Sequence, residues 1–493
     1  MGGAQDTLAF ATRGLCLDVS RSRVPTMEQL FKVVDLVADH RGNHLQLYIE
    51  HAFRYPGHEA VSDGASPITP GELTRLHAYG AEKGVTLAAN QNCLGHMERW
   101  LSDARYAHLA ETHEPFEFDG IVRQGPFSLC PTDPAALELV CELVEVQLSC
   151  IKGGMINIGC DEAFDVGTGR SKEAVAERGY ASVYGPFVGA VATHVRRCSG
   201  RAAFWADIAA RYPDAFDHIP SDAVALVWGY EPDAPFASMI ETCRAGGREV
   251  WVCPGTSAWR SLIGRTSERK KNLARAVREG LDGGATGLMI CEWGDAGHLQ
   301  PWPVAARAIA EALDAAWTGE VDESPAPPNA ATTNPPAFLD QLGDADLELR
   351  SAMRDAGDGP PLVNAGALFT ALWPAREGYA FPKNPALWKR ASDRLAELAR
   401  AIPGGPLVHD QLDWAIRLAT FAAETGAWLH AGEPEPGDWR QRLSRIEADH
   451  RRLWRVDSRP GGLDESIKSF VDLRAGLEAV SRGHAPPEQE SRA

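Results

Sequence analysis

Eight short apolar runs, separated by helix-like stretches, occupy the first 300 residues of this 493-residue chain and restrict its fold more than any other feature. Each run is nearly continuously apolar, as in strands that are buried on both faces. Such strands in alternation with helices predict a parallel sheet, and eight units predict a closed (β/α)₈ TIM barrel over residues 1–320. The runs are GLCLDV (14–19), HLQLYI (44–49), VTLAAN (85–90), MINIGC (155–160), AAFWAD (202–207), AVALVW (223–228), EVWVCP (249–254) and GLMICEW (287–293).

An open, doubly wound sheet is the competing fold. Such a fold usually has a glycine-rich phosphate-binding loop after the first strand, whereas the corresponding segment here, LDVSRSRVP, contains no glycine. The stretches between the runs carry helix signals. TPGELTRLHAYGAEKG (69–84) begins with Thr-Pro, and DPAALELVCELVEVQLSCIKGG (133–154) begins with Asp-Pro; both end in glycine.

The pattern changes in the last third of the chain. The Pro-rich stretch ESPAPPNAATTNPPA (323–337) indicates a linker over 321–340. Helical periodicity without strands then predicts an all-α C-terminal domain over 341–482, with helices at 385–402, 410–430, 438–457 and 463–480. Residues 483–493 are expected to be disordered. Packing on the barrel, a dimer interface and a contribution to the pocket all stay open as roles, so a homodimer is possible.

Charge and cysteine usage exclude several classes of partner. The net charge is -18, whereas nucleic acids and anionic membranes require clustered Lys and Arg. No run of about 18 apolar residues predicts a membrane-spanning helix, and the N-terminus does not resemble a signal peptide. The ten cysteines are scattered without a CxxC pair, which is typical of free thiols in a reducing compartment. We therefore expect a cytoplasmic protein without nucleic-acid or membrane partners.

Carboxylates, amides and tryptophans collect where the runs end, the side of a parallel barrel at which ligands bind. Carboxylates bind hydroxyl groups and Trp faces stack on sugar rings, so the pattern predicts a carbohydrate site with no cofactor and no metal. Any one of these residues alone is as readily a core tryptophan or a solvated acid; their coincidence at successive strand ends favours the site. The candidates are His96, Asp161, Glu162, Trp205, Asp207, Trp228, Tyr230, Trp259, Glu292, Trp293, Asp295 and Trp302.

The fourth run and its continuation, INIGCDE, resemble the strand motif of family 20 glycoside hydrolases, the β-N-acetylhexosaminidases. TRGLCLDVSR, LGHMERW, FWAD, LVW and CEWGD resemble other strands of that family, so the resemblance covers about residues 12–320. It implies that Arg13 binds sugar hydroxyls and that His96 matches the family's histidine. It places Trp205, Trp228 and Trp293 around an acetamido sugar.

Three departures mark a divergent branch. The family's last-strand Trp-Gly-Glu is Trp-Gly-Asp here, ending at Asp295, which leaves the choice between GlcNAc and GalNAc open. The second strand reads LYIEHAF, and the seventh, CPGTSAWR, lacks the Tyr that usually contacts the acetamido oxygen. Tyr230 is the candidate substitute.

The resemblance implies an exo-acting, retaining hydrolase of N-acetylhexosamine-containing oligosaccharides or glycoconjugates, in which the substrate's acetamido oxygen attacks C1. Asp161 would orient the acetamido group, and Glu162 would be the general acid and base, with a pKa raised by Asp161 and by the tryptophans. Two alternatives stay open. One is a conventional retaining β-glycosidase with Glu162 as acid/base and Glu292 as nucleophile. The other is a non-catalytic sugar-binding barrel.

Overall fold

The computed structural model describes residues 8–118, 121–325, 334–355, 360–372 and 378–484. Eight parallel strands close into a barrel in which every strand pairs with its sequence neighbours and the last pairs with the first. This confirms the predicted (β/α)₈ barrel. The strands are β1 Thr12–Asp18, β2 His44–Tyr48, β3 Thr86–Asn90, β4 Gly154–Asn157, β5 Gly200–Trp205, β6 Val224–Trp228, β7 Val250–Cys253 and β8 Gly287–Glu292.

Parallel register across the closing seam brings Arg13 opposite Leu288 and Cys16 opposite Cys291. Nearly every strand residue is buried, because one strand face fills the barrel and the other is covered by helices. An additional hairpin, with strands Phe116–Phe118 and Ile121–Arg123, lies in the connection between β3 and β4.

The barrel helices begin where the sequence signals predict. Thr69 and Glu72 form a capping box at the start of α2, and Asp133 caps α4, in both cases with proline in the first turn. The helices of this part are α1 Met27–Asp39, α2 Pro70–Glu82, α3 Glu98–Leu101, α4 Pro134–Cys150, α5 Lys172–Arg178, α6 Ala181–Arg197, α7 Asp207–Arg211, α8 Phe236–Ala245, α9 Thr266–Asp282 and α10 Trp302–Thr318.

The C-terminal part is helical in the described residues, as predicted. One helix, α11, begins inside the segment 321–340 that was expected to be a linker and extends to Leu342, so helical structure starts before the predicted boundary. Residues 326–333 of that segment, and 485–493 of the predicted tail, lie outside the described residues. The helices are α11 Pro335–Leu342, α12 Leu347–Arg354, α13 Ala367–Leu372, α14 Pro385–Leu398, α15 Pro406–Ala431, α16 Trp439–Asp457 and α17 Leu463–Ser481.

A second hydrophobic core joins these helices to the barrel. It contains α11–α17 together with Leu262, Leu299 and Val304, which belong to the connections after β7 and β8 and to α10. Buried charges reinforce the junction, because Arg350 of α12 contacts both carboxylate oxygens of Glu268 of α9 at 3.0 Å. Such a paired, hydrogen-bonded charge is costly to break from one side.

The helices α16 and α17 also hold the loops that follow β1 and β8. Arg23, in the loop after β1, pairs with Asp457 at 2.7 Å. Gly462, with φ of +76°, approaches the backbone of the same loop so closely that a Cβ would not fit. In the loop after β8, Gly297 accepts a hydrogen bond from the Ser466 hydroxyl. The C-terminal helices therefore pack on the rim of the barrel at the carboxyl ends of its strands.

Candidate active site

A sharp bend at the end of β4 brings the adjacent carboxylates Asp161 and Glu162 together. Along a strand their side chains would point to opposite faces. Here Gly159, Cys160 and Glu162 have φ of 66°, 69° and 50°, a backbone conformation that costs energy for residues other than glycine. A Cβ on Gly159 would collide with Asn92, so glycine is required at the turn. The bend redirects both carboxylates to the same side.

The imidazole of His96 contacts both carboxylates. Its Nε2 lies 3.1 Å from Glu162 Oε2 and 3.4 Å from Asp161 Oδ2. Burial opposes the imidazolium, but the charges of Asp161 and Glu162 outweigh burial and raise the pKa of His96 well above its usual value. His96 itself has φ of 58° and its ring packs against Phe127. The histidine therefore carries the charge that balances the carboxylate pair.

The same contact reverses the predicted direction for Glu162. Burial raises the pKa of Glu162, as expected, but the hydrogen bond and charge of His96 lower it further, so the net pKa lies below the ordinary value. The expectation of a raised pKa is wrong for the substrate-free protein. The sequence could not show this, because His96 reaches Glu162 from the loop after β3.

Asp207 is the third carboxylate of an acidic cluster that it forms with Asp161 and Glu162. Its Oδ2 accepts a hydrogen bond of 3.0 Å from the backbone N–H of Glu162. Burial and the neighbouring charge of Asp161 raise the pKa of Asp207 well above its ordinary value. Through its hydrogen bond to the Glu162 backbone, Asp207 supports the bent segment.

Arg21, which sequence reasoning missed, lies at the rim between three acids. Its guanidinium is 3.1 Å from Asp18, 3.4 Å from Glu50 and 3.4 Å from Asp295. Burial raises the pKa of Glu50 to about 7 although Arg21 and His96 lower it. Arg21 also stacks on Trp293, with 5.1 Å between the guanidinium carbon and the ring centre. The sequence did contain a signal for Arg21, because it is a polar residue just beyond the carboxyl end of β1.

The expectation for Arg13 is corrected by its position. Arg13 is the second residue of β1, at the amino end of the strand, whereas ligands bind at the carboxyl ends. Its guanidinium donates hydrogen bonds to the backbone carbonyls of Phe10, Ala11 and Arg41 and packs over Trp317. Arg13 is thus a structural residue, and Arg21 takes the place at the rim.

Aromatic residues form a wall beside the acidic cluster. Trp205 lies 6.0 Å from Trp293 between ring centres, and Tyr230 stacks on Trp228 at 5.2 Å. The structure thus groups Trp205, Trp228, Tyr230 and Trp293 as predicted. Trp259, which is as buried as Trp205, meets Tyr230 edge-on at 5.1 Å between ring centres and belongs to the same aromatic cluster.

Two further predicted residues lie away from the cluster. Trp302 is the first residue of α10 and packs between the barrel core and the helical core. Glu292 is 1% exposed, and its carboxylate accepts hydrogen bonds from the Thr256 hydroxyl and the Gln300 amide.

Several buried polar atoms of the cluster have no hydrogen-bond partner among the described residues. They are Asp161 Oδ1, Asp207 Oδ1, Asp295 Oδ1, His96 Nε2, Trp205 Nε1, Trp228 Nε1 and Trp293 Nε1. Buried polar groups are nearly always paired, so these atoms can bind water or a polar ligand. One ligand atom each from His96, Asp161 and Glu162 lie within 4.8 Å of one another; this trio has the spacing to hold a cation, although the charge of His96 already balances the acids.

Asp165, three residues beyond Glu162, has a structural role. It is fully buried, and its carboxylate accepts a 2.9 Å hydrogen bond from the backbone N–H of Ser128. Burial raises the pKa of Asp165 to about 6. Asp165 thereby ties the loop after β4 to the connection between β3 and β4.

No helix of the described residues is long and apolar enough to cross a membrane. The ten cysteines are all free thiols, and eight of them are buried.

Comparison with known proteins points to one family. The model of the family described as "Glycosyl hydrolase family 20, catalytic domain" matches residues 10–259. No curated protein matches the sequence. Among solved structures, an exo β-N-acetylglucosaminidase from Vibrio harveyi in complex with N-acetylglucosamine is similar with a TM-score of 0.50 and 14% identity, over 69% of this chain and 58% of that one.

Two Streptomyces structures are also similar. A β-N-acetylhexosaminidase from Streptomyces coelicolor has a TM-score of 0.48 and 16% identity, over 63% of this chain and 65% of that one. An N-acetyl-β-hexosaminidase from Streptomyces plicatus has a TM-score of 0.47 and 17% identity, over 63% and 64%. The chain therefore spans less than two thirds of the length of each of these proteins.

Proposed function

Because the chain belongs to glycosyl hydrolase family 20, we propose that it is an exo-acting, retaining β-N-acetylhexosaminidase that uses the acetamido group of its substrate. The observation that carries this proposal is the bent end of β4, which aims two adjacent carboxylates, Asp161 and Glu162, at one side. Their contact with a single nitrogen of His96 makes them one functional group.

The adjacency of the carboxylates favours substrate assistance. In conventional retaining glycosidases the two carboxyl groups stand about 5–5.5 Å apart on either side of the scissile bond. Asp161 and Glu162 instead lie on the same side, within contact of His96 Nε2. One of them is then free to hold the acetamido group while the other moves the proton.

Asp161 is suited to the acetamido group. Its Oδ1 is buried and unpaired in the described structure, so it can accept the acetamido N–H. The negative charge of Asp161 then stabilises the positive oxazolinium-like intermediate that forms when the acetamido oxygen attacks C1.

Glu162 is suited to proton transfer through His96. In the substrate-free protein the raised pKa of His96 and the lowered pKa of Glu162, caused by their mutual contact, keep the shared proton on the histidine. The 3.1 Å contact lets His96 pass that proton to Glu162 as the leaving oxygen approaches. Glu162 then protonates the leaving group and afterwards deprotonates the attacking water.

The corner formed by Arg21 and Asp295 is suited to the outer hydroxyls of the sugar. Asp295 Oδ1 is buried and lies 3.4 Å from Arg21 Nε, an ion pair without a hydrogen bond, so both groups keep hydrogen-bonding capacity for a hydroxyl. We propose that this pair selects between GlcNAc and GalNAc, with GalNAc preference as one outcome. Asp295→Glu should then change the ratio of kcat/KM for the two sugars.

The buried environment of Glu292 disfavours the conventional alternative. A nucleophile has to reach C1, yet Glu292 is held by Thr256 and Gln300 and is 1% exposed. No contact of the described residues favours a binding protein without catalysis over an enzyme.

The test compares hydrolysis of the aryl β-GlcNAc and β-GalNAc glycosides with that of their 2-hydroxy counterparts. Glu162→Gln should lower kcat by about 10²–10⁴-fold, and Asp161→Asn should slow acetamido substrates alone. The exposed Glu138→Gln on α4 is the control. A thiazoline analogue should inhibit the wild type. Equal rates on acetamido and 2-hydroxy sugars would contradict substrate assistance, and sugar binding without turnover would contradict enzymatic function.

A further inference from the structure

We propose that Glu145, His194 and Cys198 bind a zinc ion on the outside of the barrel, between α4 and α6. His194 Nε2 lies 2.9 Å from Glu145 Oε1 and 3.6 Å from Cys198 Sγ. One ligand atom from each residue lies within 4.8 Å of both others. A carboxylate, an imidazole and a thiol thus converge on one point.

The helices present these groups by simple geometry. His194 and Cys198 are four residues apart at the end of α6, so they lie on the same helix face. Glu145 faces them from α4, and Cys141, one turn earlier on α4, lines the same surface cleft as His194. Of the ten cysteines, Cys141 and Cys198 are the two that are not buried. Both of these thiols therefore lie on the helix pair that carries His194, and Cys141 lines the cleft beside it.

The spacing fits a tetrahedral zinc ion. Zinc binds sulfur at about 2.3 Å and nitrogen or oxygen at about 2.0–2.2 Å, so neighbouring ligand atoms stand about 3.5 Å apart. The observed 2.9 Å and 3.6 Å need only small side-chain rotations to reach that spacing. Thiolate and imidazole together select zinc over magnesium or calcium. Water completes the fourth position.

The site is accessible to solvent, and metal binding releases one proton from Cys198. Glu145 is 59% exposed and His194 20% exposed at their side chains, so an ion can enter from solvent. On binding, the Cys198 thiol releases its proton to solvent and the sulfur bonds to the metal. The ion would then join the two helices that flank β4, at the end of the barrel opposite Asp161 and Glu162, where barrels are stabilised rather than functional.

Cobalt titration of the chelator-treated full chain tests the site. The wild type should bind one Co²⁺ with a thiolate-to-cobalt charge-transfer band that Zn²⁺ abolishes. Cys198→Ser should lose that band, and His194→Gln should weaken binding at least about tenfold. Glu142→Gln, an exposed glutamate on the same helix that contacts His58 instead, should behave as the wild type.

Thermal unfolding provides a second readout that does not depend on the spectrum. Zinc should raise the Tm of the wild type and of Glu142→Gln but not of Cys198→Ser, with folding of each variant verified by circular dichroism. A wild type without the charge-transfer band would overturn the proposal. So would a band that persists in Cys198→Ser. Cobalt that binds without the thiolate band, and that is lost in His96→Gln but not in Cys198→Ser, would place the ion in the candidate active site instead.

Discussion

Replacement of Glu292 by glutamine should stabilise the protein at alkaline pH. The Glu292 carboxylate is buried, and its hydrogen bonds come from the neutral groups of Thr256 and Gln300. Burial raises the pKa of Glu292 from 4.5 to about 7. The folded protein thus keeps a proton between these values that the unfolded chain has lost, and stability that is complete below pH 4.5 is lost as the pH rises through 7.

The size of the effect follows from this difference. At 1.36 kcal/mol for each pKa unit, the interval between 4.5 and about 7 corresponds to about 3 kcal/mol. The side chain introduced by Glu292→Gln would stay neutral at every pH while its amide can satisfy both neighbours. The variant should therefore gain about 3 kcal/mol over the wild type between pH 4 and pH 8.5, measured as the free energy of unfolding in urea.

The exposed Glu138→Gln is the matched control and should show no such gain. If Glu292→Gln were no more stable relative to the wild type at pH 8.5 than at pH 4, Glu292 would be ionised in the folded protein and the reasoning from burial would fail. The same variant tests the chemistry. Glu292→Gln should hydrolyse aryl N-acetylhexosaminides nearly as fast as the wild type. Labelling of Glu292 in the wild type by a 2-fluoro sugar would instead establish the conventional mechanism.

Substitutions of three residues, Arg21, Asp207 and Trp228, probe the rim, each followed by steady-state kinetics on aryl N-acetylhexosaminides. Arg21→Lys should lower kcat/KM by about 10- to 100-fold because it loses charge-assisted hydrogen bonds, while Arg13→Lys should change it by less than about threefold; equal losses would contradict the assignment of Arg21. Asp207→Asn should keep most of kcat at pH 7 because burial and Asp161 raise the pKa of Asp207, whereas Asp207→Ala should lose about 10- to 100-fold by leaving the Glu162 N–H unpaired. Similar losses in both variants would show that Asp207 is ionised. Trp228→Phe should raise KM about fivefold if Nε1 donates to the sugar, and an unchanged KM would exclude that bond.

The strand plan could be predicted from the sequence because both faces of each strand are buried. That condition produces continuous apolar runs such as AVALVW and EVWVCP, which few other structures require. The helix starts were equally local, since Thr69 and Asp133 act on the first turn of their own helices.

Features that depend on contacts between distant segments could not be predicted in the same way. The lowered pKa of Glu162 arises from His96, whose loop lies more than sixty residues earlier in the chain. The two arginines show a different limit. Arg13 and Arg21 flank the same strand, and motif similarity selected Arg13, although the direction of β1 places only Arg21 at the carboxyl end.

The attachment of α16 and α17 to the rim has a consequence for where a functional unit ends. Residues 10–259, which match the family, stop before β8 and before every C-terminal helix. Arg21 lies in a loop that the 2.7 Å pair of Arg23 with Asp457 anchors from the far end of the sequence. A shortened chain that ends after α10 would keep all eight strands but release this loop. The unit that we propose to bind the sugar is therefore larger than the segment that matches the family, and the barrel alone would not retain the position of Arg21.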